Sequence, residues 1–130
     1  MRALARWALA IALAAIGVMH FTQTRGFRVV VPDWAVRISR LDKNAIVRAS
    51  GTVEAVLSAA LIALPRARRE AGWATAAFFV AVLPGNVHQW RTGRSTPGLD
   101  TDARRFGRLF LQPLLVLWAL WATDGHRVRR

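Results

Sequence analysis

The chain predicts an all-α membrane protein, a four-transmembrane-helix bundle with a short interfacial helix in the first loop, on three observations. Its 130 residues are 54% hydrophobic with a mean hydropathy of +0.26, too apolar for an ordinary soluble domain and too short for two domains. Four apolar runs, at residues 3–21, 45–64, 72–90 and 107–123, each approach the roughly 20 residues a helix needs to cross a bilayer. Arginines gather between those runs, where anionic headgroups and the positive-inside rule account for a formal charge of +12. A single membrane domain over residues 1–130 is therefore expected, with the lipid bilayer as partner and the oligomeric state open.

Composition also excludes chemistry. The chain has no cysteine, which removes disulfides, thiol exchange and cysteinyl metal or iron-sulfur ligation. Nucleic acid is not an expected partner, because no basic stripe is interleaved with exposed aromatic residues.

The first run resembles a signal peptide, with Arg2 and Arg6 ahead of an Ala/Leu/Ile stretch. Its Ala12-Leu13-Ala14 triplet falls too early for a full apolar segment before cleavage, so the run is expected to stay as a spanning helix. The loop over 22–43 contains Val31-Pro32-Asp33-Trp34, and Pro32 suits a first helical turn while Asp33 suits the positive end of the helix dipole. A short helix over 32–41 follows, with Trp34, Ile38 and Leu41 on one side as in a segment lying in the membrane interface; the alternative is an irregular loop anchored by Trp34.

The second run is followed by a tight turn over 65–71 that holds Arg66, Arg68 and Arg69. Pro84 interrupts the third run, and the connection over 91–106 offers Gly93, Pro97 and Gly98 and then Asp100, Thr101 and Asp102 as helix caps. The six tryptophans mostly fall near run ends and are expected as interface anchors.

Orientation rests on where the basic residues are dense. The termini and second loop hold Arg2, Arg6, Arg66, Arg68, Arg69, Arg127, Arg129 and Arg130, fewer than half of the 19 basic residues, yet three of these crowd one short turn. Such a turn resists translocation, which places both termini in the cytoplasm.

Polar side chains collect in one half of the bundle. Antiparallel helices bring His20, Arg48, Glu54, Asn86, His88, Arg108 and Gln112 toward the same membrane face, and the opposite half is almost wholly apolar. Glu54 stands deep within the second run, where a carboxyl group is costly unless neutral, paired or facing a polar cavity. Ser50, Glu54 and Ser58 recur every four residues beside Gly51 and Ala55, a small, polar stripe that should face other helices.

Arg48 lies about 240° around the helix from Glu54 and about 9 Å along it, so Arg108 or His20 from another helix is the better partner. Asn86 follows Pro84-Gly85, so its amide is placed either to bond carbonyls freed at that break or to meet a ligand. The candidate ligand-binding set is His20, Glu54, Asn86, Arg108 and Gln112. His20, His88 and Glu54 have metal-ligand types but no ligand motif, and no nucleophile–base pair or phosphate loop suggests an enzyme acting alone.

His20-Phe21, Val31-Pro32-Asp33-Trp34, Gly51-Thr52-Val53-Glu54, Leu83-Pro84-Gly85-Asn86 and Leu111-Gln112-Pro113 with Trp118 follow an order and spacing that resemble the DoxX family of small bacterial membrane proteins. The resemblance covers nearly the whole chain. It implies a four-helix fold in the bacterial inner membrane and an association with membrane redox chemistry, with quinone as candidate ligand and a membrane or peripheral redox protein as partner. Without cysteines the chain would serve as a non-catalytic subunit or anchor. The alternative is a stand-alone binding or transport protein that uses Glu54 for a proton, a cation or a small lipophilic ligand.

Overall fold

Every regular element among the described residues is helical. The computed structural model describes residues 1–95 and 100–125, in the order α1 (Arg2–Thr22), α2 (Thr24–Phe27), a 3-10 turn (Arg28–Val30), α3 (Asp33–Ser39), α4 (Lys43–Ala63), a second 3-10 turn (Pro65–Ala67), α5 (Arg68–Ala81), α6 (Leu83–Thr92) and α7 (Asp102–Ala122). Pro97, Gly98, Arg127, Arg129 and Arg130, which entered the loop and orientation arguments, lie outside the described residues.

Helices α1 and α4, each of 21 residues, are long and apolar enough to cross a membrane. The other two runs depart from expectation for local reasons. Proline has no N–H to donate and its ring crowds the preceding turn, so the run expected over 72–90 divides at Val82 into α5, with 14 residues, and α6, with 10. Helix α7 starts at Asp102 rather than at 107, because the Thr101 hydroxyl oxygen accepts from the Arg104 N–H at 3.2 Å and caps it. Its early turns consequently carry Asp102, Arg104, Arg105 and Arg108.

The short helix expected over 32–41 is α3, with Pro32 as its N-cap. It stops at Ser39 because Arg40 takes a left-handed conformation at φ 59°, leaving Leu41 beyond it. Trp34, Ile38 and Leu41 are exposed, Ile38 by 77%. Helix α2 and the turn after it were not anticipated.

Leu9, Ala10 and Leu13 of α1, Leu57 and Leu61 of α4, Ala71, Ala76 and Phe79 of α5 and Ala119 of α7 form one apolar core. It fills the half of the molecule opposite His20 and Arg48. Asp124 closes that end by pairing with Arg2 and, at 3.3 Å, with Arg68. Trp118 and Trp73, expected as interface anchors, make internal bonds there: their indole N–H groups donate to the carbonyls of Ala5 and Gly125, each at 3.0 Å. The closest packing is α1 on α4 and α5 on α7.

Candidate functional site

The site begins with two glycines. Gly17 of α1 and Gly51 of α4 have no side chain to hold the helices apart, and a Cβ on Gly17 would lie 3.0 Å from the Gly51 carbonyl oxygen. His20 stands three residues beyond Gly17, and Glu54 stands three residues beyond Gly51. Each therefore occurs one turn from the closest approach, and the crossing brings the two side chains together.

His20 Nδ1 lies 3.0 Å from Glu54 Oε2, with 12% and 8% of the two side chains exposed. The same nitrogen lies 2.8 Å from the Ile16 carbonyl oxygen. A carbonyl only accepts, so Nδ1 carries the proton in that bond and the tautomer follows from the partner. Glu54 Oε2 sits beside this N–H with no hydrogen bond of its own, buried and open to a further donor. The imidazole face is covered by Phe27, whose ring centroid lies 4.4 Å away at an interplanar angle of 16°. Thr24 makes that stacking available: its hydroxyl donates to the His20 carbonyl at 2.7 Å and turns the chain at the end of α1.

Of the two partners proposed for Glu54, His20 makes the contact. Arg108, half-buried on α7, lies within electrostatic range of both Glu54 and His20, and no ion pair joins it to either among the described residues. The Ser50–Glu54–Ser58 stripe meets α1, with the Ser58 hydroxyl donating to the Ala10 carbonyl at 2.7 Å in the core.

Asn86 and Gln112, both in the candidate ligand-binding set, are buried but differ in how they are engaged. Gln112 Nε2, reaching from α7, donates to the Phe79 carbonyl at 3.0 Å in the last turn of α5. This carbonyl would be paired inside a continuous helix and is freed by the division at Val82. Asn86 was placed either to bond such freed carbonyls or to meet a ligand; its Nδ2 is buried without a hydrogen-bond partner and the residue is only 3% exposed. Asn86 is an available donor, whereas Gln112 is already engaged in holding the break. His88 lies within electrostatic range of Asp33 at the polar end.

Sequence reasoning missed Gly17 and Phe27. The equal offsets from Gly17 to His20 and from Gly51 to Glu54 were the available signal for the first. For Phe27 no periodicity exists, because the chain leaves the helix at Gln23 before returning.

The arrangement can hold a proton between imidazole and carboxyl group, or accept a donor from a ligand at Glu54 Oε2. No curated protein and no solved structure matches the chain. The model of the family described as "Domain of unknown function (DUF8561)" matches residues 9–123, a span that includes His20, Glu54, Asn86, Arg108 and Gln112, and the chain belongs to that family.

Proposed function

We propose that the protein is a multi-pass membrane protein with DoxX-like organisation, in which α1, α4, the α5–α6 pair and α7 form a four-transmembrane-helix bundle. It acts as a non-catalytic subunit or anchor of a membrane redox system and holds the polar head of a quinone at the His20–Glu54 pair. Outward faces support the membrane reading: Phe110, Leu114 and Leu117 on α7 are 61%, 60% and 63% exposed, as lipid-facing residues would be. End to end, α5 and α6 rise about 36 Å and α7 about 31 Å, enough to traverse a hydrocarbon core of about 30 Å. The arginine-rich turn between α4 and α5 supports a cytoplasmic position for both termini, and the resemblance supports a bacterial inner membrane.

The observation that carries the ligand reading is the buried Glu54 Oε2, which faces His20 Nδ1 at 3.0 Å but accepts no well-aligned hydrogen bond. A buried oxygen without a hydrogen bond is costly, and a quinol hydroxyl would supply one. The test is thermal unfolding of the purified protein in detergent with a short-chain ubiquinol analogue. A stabilising shift in the wild type that disappears in Glu54→Gln and in His20→Ala supports the reading; an unchanged shift in both variants overturns it. Co-purification from native membranes should recover a redox protein in stoichiometric amount, and its absence would remove the subunit role.

A second reading has its own support. At 3.0 Å, His20 and Glu54 are close enough to share a proton with no ligand present, as a stand-alone proton-binding or transport protein would require. Infrared difference spectra across a pH titration without quinone should then show a carboxyl band that Glu54→Gln abolishes. A spectrum identical in the two proteins sinks this alternative.

A further inference from the structure

Beyond the His20–Glu54 pair, the polar end carries a second feature that uses none of its residues. Two depressions of about 280 Å³ and 330 Å³ adjoin there and share Arg25 in their walls. Arg28, Lys43 and Arg94 complete the basic lining of the first, and Asn44 and Arg48 line the second. Neither wall includes an acidic residue.

Five cations thus converge from separate elements: Arg25 from α2, Arg28 from the 3-10 turn, Lys43 and Arg48 from α4, and Arg94 from beyond α6. Lys43 is paired, with Asp33 at 2.9 Å, and the four arginines make no ion pair among the described residues. Arg94 is positioned, not merely trailing. Gly93, at φ 64°, reverses the chain, the Arg94 N–H donates to the Gln89 carbonyl at 3.3 Å, and the buried Gln89 amide donates to the Arg94 carbonyl at 3.2 Å.

Like charges gathered around a concavity repel one another, and only that of Lys43 is offset, by Asp33; a bound anion would offset the arginines. Guanidinium forks match tetrahedral oxyanions in geometry as well as charge. We infer that the joined depressions are a seat for a phosphoryl-type oxyanion, presented either by an anionic phospholipid headgroup or as a free ion. The seat lies where the apolar length of α1 ends, beside the exposed Phe21, at the depth where headgroup phosphates would be met.

The test uses the full chain in neutral detergent at constant ionic strength, with thermal unfolding read against inorganic phosphate, dihexanoyl phosphatidylglycerol and, as control, dihexanoyl phosphatidylcholine. A saturable shift with phosphatidylglycerol alone identifies a lipid headgroup as the source, and one with phosphate alone identifies a soluble ion. A shift with both supports the seat for either source. In each case Arg28→Gln with Arg94→Gln should weaken binding about tenfold or more. Arg37→Gln with Arg40→Gln removes the same charge from α3 and its C-cap, outside the seat, and should leave the response intact. Arg28→Lys with Arg94→Lys keeps the charge but not the forks and should fall between. No saturable response to phosphate or phosphatidylglycerol overturns the inference, as does an equal response to phosphatidylcholine or an equal loss in the α3 control.

Discussion

Gly51 of α4 is pressed against Gly17 of α1 so closely that a Cβ on Gly51 would lie 2.9 Å from the Gly17 carbonyl oxygen and 2.8 Å from His20 Cβ. The backbone oxygen cannot yield without moving a helix, so Gly51→Ala should part α1 from α4 and draw Glu54 from His20. Overpacking costs about 1–3 kcal/mol, which outweighs the gain of about 1 kcal/mol in helix propensity. Gly107, also within a helix, has no atom within 4 Å of a built Cβ, and Gly107→Ala should stabilise by about 0.5–1 kcal/mol. Thermal unfolding in one detergent compares the two. Opposite signs are expected, and a stabilised Gly51→Ala would contradict the crossing.

Gln112 should depend energetically on Pro84. Gln112→Leu leaves the buried Phe79 carbonyl without its donor, at a cost of about 1–3 kcal/mol. Pro84→Ala removes the ring that crowds the Val80 carbonyl, so α5 can continue into α6 and the Leu83 N–H can reach the Phe79 carbonyl. Gln112→Leu should therefore cost less in the Pro84→Ala background, by about 1 kcal/mol in a double-mutant cycle. Additive costs would show that the amide and the break act independently.

Much of this site was readable because the constraint on it is severe. A carboxyl group deep in an apolar run needs a partner from another helix, and that requirement alone narrowed the choice for Glu54 to His20 or Arg108. Choosing between them required the rotation of α1 about its axis, which Gly17 sets through contact with Gly51 and no periodicity encodes. The difference between Asn86 and Gln112 was hidden for a similar reason. Only Asn86 was considered for the carbonyls freed at Pro84, because it is near in sequence, while the reach of Gln112 from α7 is a product of tertiary packing. The all-helical fold came through run length and composition, and its misplaced boundaries came from Thr101 and Arg40, a cap and a left-handed turn that hydropathy does not register.

The two serines of the α4 stripe should separate sharply. Ser58 donates to the Ala10 carbonyl at 2.7 Å in a buried interface, whereas Ser50 is half-buried and makes no hydrogen bond through its side chain among the described residues. Ser58→Ala should cost about 0.5–1.5 kcal/mol. Ser50→Ala should stay within about 0.5 kcal/mol of the wild type. Comparable losses at both positions, measured by detergent unfolding, would argue that the stripe does not face α1 as described.

At the mouth of the bundle, Asp33 and Lys43 link the start of α3 to the start of α4 at 2.9 Å. The hydrogen bond and charge of Lys43 hold the Asp33 carboxyl below its ordinary value of 3.8, with smaller contributions from His88 and Arg37 in the same direction, although the group is fully exposed. A carboxyl group whose value is depressed on folding stabilises the folded state above its unfolded value, and that contribution is lost as pH falls through the folded one. Wild-type stability should therefore fall in strong acid by more than that of Asp33→Asn, while the two proteins should differ by a nearly constant amount from pH 5 to pH 7. Because solvent screens an exposed pair, the difference should be small and should shrink further in high salt. Unfolding midpoints recorded for both proteins across the acid range decide it: parallel curves below the ordinary carboxylate range would show that the ion pair does not contribute to holding α3 on α4.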